Sequence, residues 1–376
     1  MLIGVPKEIK NHEYRVGLIP ASVRELCHNG HQVVVEAMAG AGTGFSDADY
    51  GAAGALLVDG ADEVYARAEM IVKVKEPQAS ERRLLNSSHT LFTYLHLAPD
   101  RPQTDELVAS GALCIAYETV TDELGHLPLL APMSEVAGRM AVQAGAYCLE
   151  KSMGGRGVLL GGVPGVSAAR VTVIGGGVVG RSATTIAVGM GADVTVLDRD
   201  LGVLRHLDHV YGNRIKTLFS TQEALEQAVI NADLVVGAVL VPGASTPKLV
   251  TRDMLRRMAE GSVFVDVAID QGGCGETSRP TTHADPTFVE EGVVHYCVAN
   301  MPGAVARTSA MALNNATLPF VLALANKGPV AALRDDPHLL AGLNIGCGQV
   351  VHPSVAEAHG YTPVAASILL DQLSRR

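Results

Sequence analysis

VTVIGGGVVGRSATTIAVGMGADVTVLD, Val171 to Asp198, holds an apolar run of strand length, three consecutive glycines, a small-residue helical segment and a second apolar run that closes on an acid. Gly175, Gly177 and Gly180 match G-x-G-x-x-G directly after a strand and at the start of a helix. In that context the first glycine permits a tight turn, the second lets backbone approach a pyrophosphate, and the third lets helix and strand pack closely. The helix N-terminus then faces the phosphates. Asp198, at the end of the second strand, offers a carboxylate to a ribose 2'-hydroxyl and argues for NAD over NADP, although Arg199 beside it has the charge to meet a 2'-phosphate.

Working outward, the alternation continues. After the glycines come DVTVLD, IKTLFS, DLVVGAVLV, SVFVDVAID and VVHYCVAN, separated by helical segments such as TQEALEQAVINA and TRDMLRRMAEG. Six short apolar strands with helical crossovers specify a Rossmann-type, doubly wound parallel sheet. The first half repeats the pattern more loosely, from MLIGVP to ALCIAYETV, without a glycine fingerprint. Small-residue helical patterns near residues 134–153 and 308–326 bracket the glycine-containing half. The expected architecture is α/β, with two α/β domains around a cleft. Residues 1–130 and 307–376 form one domain, and residues 131–306 form the dinucleotide-binding domain.

Composition narrows the function. A chain of 376 residues favours two domains of ordinary size. Hydrophobic residues at 48% and charged residues at 18% suit a soluble α/β protein. A formal net charge of -10 and the lack of any Lys/Arg run exclude nucleic acid as a partner. Six scattered cysteines without a C-x-x-C pair read as reduced thiols. The N-terminus turns charged within ten residues, and no run of about 18 uninterrupted apolar residues occurs, so a cytoplasmic protein without a membrane span is expected. The Cys27, His28 and His31 cluster lacks a second group to complete a metal site and reads as surface, so no metal is expected. H-E-x-x-H, G-x-S-x-G and P-loop patterns are absent.

Strand ends supply candidate chemistry. In the second half the fourth strand runs into Val239, Leu240 and Pro242, the fifth ends at Asp270 and the sixth at Asn300, each before or within a glycine loop. In the first half Arg15, Lys75 and His96 each lie just beyond an apolar strand. Two cations and an imidazole at one edge suit a small carboxylate, a polarised carbonyl and a proton to be moved. The alternatives are solvated loop charges for Arg15 and Lys75, a satisfied core histidine for His96, and loop capping by Asp270 and Asn300.

The segments IGVPKEIKNHEYRVGLIP, KVKEP, TYLHLA, PMSEVAGRMA, GGGVVG, GAVLVPGA, VDVAIDQGGC and VANMPGAVARTS, in this order, resemble the blocks of the L-alanine dehydrogenase family over almost the whole chain. The resemblance implies a first domain that binds pyruvate or L-alanine, a central domain that binds NAD, and a tail that rejoins the first domain. It implies a homo-hexamer whose substrates are L-alanine, pyruvate and ammonium. It makes Arg15, Lys75 and Asn300 substrate-binding residues and His96 and Asp270 the catalytic acid/base groups. Ser134, Val178, Val179, Ser220, Val239, Leu240, Val267, Ile269, Asp270, Asn300 and Met301 join Gly175, Gly177, Gly180 and Asp198 around the cofactor. Two other classes fit parts of the pattern: the nucleotide-binding component of a proton-translocating transhydrogenase, and a non-catalytic NAD-binding module. Neither requires Lys75 and His96.

Overall fold

In the computed structural model, which describes residues 1–239 and 246–374, the chain divides into two compact units, Met1–Pro132 with Gly303–Arg376, and Met133–Pro302. The first unit begins with six strands, β1 (Leu2–Val5), β2 (Gln32–Glu36), β3 (Leu56–Val58), β4 (Met70–Val72), β5 (Thr90–Thr93) and β6 (Leu113–Ala116). All pair in parallel, in the order β3-β2-β1-β4-β5-β6. Chain order reverses between β1 and β4, so this is a doubly wound sheet with its switch point there. Strands β4, β5 and β6 are buried at every position, as expected for a parallel sheet covered on both faces.

The second unit carries β7 (Arg170–Ile174), β8 (Asp193–Asp198), β9 (Ile215–Phe219), β10 (Leu234–Gly237), β11 (Val263–Asp266), β12 (Thr287–Glu290) and β13 (Val293–Tyr296). Their order is β9-β8-β7-β10-β11-β13-β12, with β12 antiparallel at the edge. The six parallel strands therefore run in the same winding as those of the first unit, and the switch point falls between β7 and β10. The edge strand β12 has no counterpart in the sequence reading; its four residues are all at least partly exposed and show no apolar run.

The tail belongs to the first unit, where β14 (Leu343–Gly346) pairs antiparallel with β6, and β15 (Gln349–Val350) pairs with β14. Helices Ala131–Cys148 and Ala306–Lys327 occupy the two small-residue patterns. The segment Met301–Lys327 is long and apolar enough to cross a membrane by length and composition. Within the first unit, however, Asn314 of this helix is buried and ties it to the loop after β1. Its Oδ1 accepts the Ile19 N–H at 2.9 Å and the Ser22 hydroxyl at 2.8 Å, and its Nδ2 donates to the Gly17 carbonyl. Such a buried, fully engaged amide marks a core helix.

Candidate active site

In the second unit, β7 ends at Ile174 and the chain turns through Gly175 at φ 98°, a conformation that disfavours any side chain. A Cβ there would lie 2.7 Å from the Ala238 carbonyl oxygen, and one at Gly180 would lie 1.7 Å from the Gly175 carbonyl oxygen. Helix Val178–Gly189 thus starts hard against the strand. Gly177 differs: its φ of -68° suits any residue and a Cβ would meet nothing within 4 Å among the described residues. Among the described residues, nothing in the fold requires glycine at 177. Helix Ala131–Cys148 packs on this segment through Gly138, where a Cβ would lie 2.2 Å from the Val179 carbonyl oxygen. Ser134 lies one turn earlier on the same helix and is half-buried.

Asp198 closes β8 and is locked to the glycine turn. Its Oδ2 accepts the Gly176 N–H at 2.7 Å and its Oδ1 the Asp200 N–H at 2.8 Å. Ser220 follows β9 and donates its N–H to the Asp198 carbonyl, so it sits beside the acid. Val239, half-buried, follows β10 at the switch point, whereas Leu240 lies outside the described residues.

The strand ends differ from the sequence expectation. The fifth strand, β11, stops at Asp266 rather than at Asp270, and residues Val267–Gln271 form a 3-10 turn. The cause is Asp266 itself. Fully buried, its carboxylate accepts from Cys274 N at 2.8 Å, Gly275 N at 3.1 Å, Ala268 N at 3.2 Å and Ser278 Oγ at 2.5 Å, folding the segment back on the strand. The turn places Val267 at partial exposure, buries Ile269, and leaves Asp270 exposed. Likewise β13 ends at Tyr296, four residues before Asn300. Asn300 has φ 62° and its carbonyl receives His283 Nε2 at 3.2 Å; Met301 is buried.

In the first unit, Arg15, Lys75 and His96 follow β1, β4 and β5, two of them on either side of the switch point. Arg15 is buried, not a solvated loop charge. Its Nε donates to Glu13 Oε1 at 2.7 Å and its Nη2 to Glu13 Oε2. Burial works against the Arg15 charge, but the Glu13 hydrogen bonds and charge outweigh it and raise the pKa. The loop carrying Arg15 lies directly on β4, since a Cβ at Gly17 would be 2.3 Å from the Val72 carbonyl oxygen.

Lys75 is positioned through its backbone. Its N–H points to Glu8 Oε1 at 3.4 Å and its carbonyl accepts the Thr93 hydroxyl at 3.1 Å. Glu8 Oε1 also accepts the Val74 N–H at 2.7 Å, while Lys73 Nζ, fully buried, donates to Glu8 Oε2 at 3.1 Å and Glu81 Oε1 at 2.7 Å. A buried Glu8, Lys73 and Glu81 triad therefore fastens the loop after β1 to the end of β4. Burial raises the Glu8 pKa, against the opposing pull of Lys73.

His96 is not a core histidine: its side chain is 45% exposed, with φ 49°. Its ring stacks on that of buried Tyr94, with centroids 5.9 Å apart and planes at 7°. Tyr94 donates its hydroxyl to the Leu129 carbonyl at 2.5 Å. Glu118 accepts the His96 N–H at 2.6 Å. Glu118, Glu13, Asp266 and the Glu8, Lys73 and Glu81 triad are not singled out by sequence reasoning. Acids before or after apolar runs are too common to stand out, and only their convergence in space distinguishes them.

The second unit thus carries a glycine turn at the start of a helix, and the first unit, by itself, carries two cations and an imidazole after strands next to its switch point. Residues 4–137 match the family model "Alanine dehydrogenase/PNT, N-terminal domain", and residues 141–353 match "Alanine dehydrogenase/PNT, C-terminal domain". A protein of Halomonas elongata named alanine dehydrogenase is 63% identical over 370 residues, 98% of this chain and 100% of that protein. One of Bacillus subtilis with the same name is 53% identical over 375 residues, 100% of this chain and 99% of that protein. A solved L-alanine dehydrogenase superposes with a TM-score of 0.93 at 52% identity over 96% of this chain and 99% of that one. A transhydrogenase of Sinorhizobium meliloti superposes with a TM-score of 0.81 at 25% identity, over 94% and 100% of the two chains. Fold and relatives together define an amino-acid dehydrogenase. Both units carry a match. The chain belongs to the alanine dehydrogenase family.

Proposed function

We propose that this chain is an NAD-dependent L-alanine dehydrogenase: L-alanine, NAD and water give pyruvate, ammonium, NADH and a proton, reversibly. The observation that carries the cofactor half is the contrast within the glycine turn. Gly175 and Gly180 are required by neighbouring backbone, whereas a Cβ at Gly177, at the N-terminus of a helix, would meet none of the described residues, with Asp198 fixed 2.7 Å from the Gly176 nitrogen. These residues fit a dinucleotide, with the helix N–H groups toward its pyrophosphate and the Asp198 carboxylate toward a ribose hydroxyl. Bound there, NAD supplies the hydride acceptor.

The remaining work falls to side chains of this chain. Arg15, its fork oriented by Glu13, and Lys75 hold the substrate carboxylate and the oxygen of the keto acid. His96 takes the proton from the alanine amine or the attacking water and returns it in the reverse direction. Asp270 orients the water or ammonium, and Asn300, in its left-handed conformation, lines the reacting end. Met133–Pro302 is then the NAD-binding domain and the rest of the chain the substrate-binding domain. The same reading extends to a cytoplasmic homo-hexamer.

The decisive experiment is alanine-dependent NAD reduction by the purified chain with no partner protein, followed at 340 nm. A transhydrogenase component or a bare NAD-binding module would give none. NAD should be preferred to NADP, because a 2'-phosphate brings like charge against Asp198. A charge-assisted hydrogen bond contributes roughly 1.5–3 kcal/mol, so Asp198→Ala should weaken NAD use by about one to two orders of magnitude and narrow the gap to NADP. Comparing kcat/KM for the two cofactors checks this, and equal or better use of NADP by the wild type would assign the choice to Arg199 instead. Gly177→Ala should fold with a stability change within about 1 kcal/mol yet bind NADH at least tenfold more weakly. Undiminished NADH affinity in a fluorescence titration would remove the pyrophosphate from this turn.

A further inference from the structure

His96 is one of six non-glycine residues at positive φ among the described residues, and the turn that holds it there is gripped from several elements. Gln103 Nε2 donates to the Leu95 carbonyl at 2.6 Å, and Thr104 Oγ1 and His359 Nε2 donate to the Leu97 carbonyl at 3.2 and 2.8 Å. These contacts fix the residues on either side. Glu118, in the 3-10 turn Tyr117–Thr119 directly after β6, reaches His96 itself. Its Oε1 accepts the His96 N–H at 2.6 Å, both its oxygens accept the Leu95 N–H at 3.1 and 3.2 Å, and Oε1 lies 3.9 Å from His96 Nδ1. The Glu118 side chain is 17% exposed and the imidazole 45%, so the acceptor is sheltered while the ring it holds stays open.

Two successive N–H groups gathered by one carboxylate require the chain to turn sharply at that point. A non-glycine residue persists at positive φ only where its surroundings over-determine it, and such positions concentrate at functional sites. We propose that Glu118 is a positioning residue for the proton-transfer step: its carboxylate holds His96 in the left-handed conformation that presents the imidazole to the substrate. The proposal rests on the reading of His96 as the acid/base group and deepens it.

The test is a double-mutant cycle on the full-length enzyme with NAD and L-alanine. A displacement of a reacting group by about 1 Å costs on the order of 100-fold, so Glu118→Ala should lower kcat by about 10- to 100-fold while KM for alanine and for NAD stays within about twofold. Glu118→Gln keeps one acceptor oxygen and should recover most of the rate. In a His96→Ala background Glu118→Ala should cause no further loss, because residues that act through one another are not additive. A loss of the same factor in both backgrounds, an unchanged kcat for Glu118→Ala, or a change confined to KM would each overturn the proposal. Should Glu118→Ala fail to fold, Glu118→Asp, whose shorter side chain draws the carboxylate back from the His96 N–H, carries the cycle: a loss of kcat that vanishes in the His96→Ala background supports the role, and no loss, or one that persists, overturns it. Wild-type turnover by His96→Ala alone would instead overturn the reading of His96, an outcome visible without any Glu118 variant.

Discussion

His96→Ala is expected to lower alanine oxidation and pyruvate amination by about 10²- to 10⁴-fold, the usual contribution of a positioned general acid or base. NADH affinity should be nearly unchanged, because the glycine turn and Asp198 are built within the other unit from their own strands and hydrogen bonds. The histidine sits at an exposed bend, so its loss creates no cavity and the melting temperature should move little. Steady-state kinetics in both directions and an NADH fluorescence titration check the two halves separately. A variant that oxidises alanine at the wild-type rate would remove His96 from the chemistry.

Lys73→Ala should produce the largest loss of stability. Lys73 is fully buried between Glu8 and Glu81, and removing it leaves two carboxylates without their cation. Breaking a buried ion pair from one side costs about 3–5 kcal/mol. The deficit should shrink as pH falls. The Glu8 pKa is already raised by burial in the intact triad, where Lys73 pulls it down, so without Lys73 it rises further above its unfolded value. A carboxyl group raised in this way favours the folded state most below the unfolded pKa near 4.5 and loses that contribution as pH rises through the folded pKa. Urea unfolding at pH 5 and pH 8 measures both effects. Equal deficits at the two pH values would mean that the folded variant takes up no proton at Glu8 between them, and that its pKa does not rise when Lys73 is removed.

The glycine turn was legible because its context is local: strand, turn, helix and acid all fall between Val171 and Asp198. The six parallel strands of the second unit were legible for the same reason, each being an apolar run of ordinary length. Strand β3 and strand β12 sit at sheet edges and are at least partly exposed at most positions, so neither continues into the longer apolar run that marks even the three-residue β4. Strand ends were read too long at Asp270 and Asn300, because apolar residues continue past the last ladder hydrogen bond and only the buried Asp266 shows why the strand stops. Arg15, Lys75 and His96 stood out as polar residues closing apolar runs. Their partners did not, since Glu13 and Glu118 become informative only when burial and distance are known.

The antiparallel pairing of β14 with β6 bears on how the protein is made. The middle unit is one continuous stretch and can fold as soon as it leaves the ribosome. The first sheet cannot finish then, because the strand that covers the β6 edge begins at Leu343, long after Ala116 has been synthesised. At about 5–20 residues per second, a nascent chain carries that edge uncovered for tens of seconds. An uncovered edge is a template for pairing with another chain, so slow or interrupted translation before Leu343 should favour misassembly of the first unit while the second is already folded.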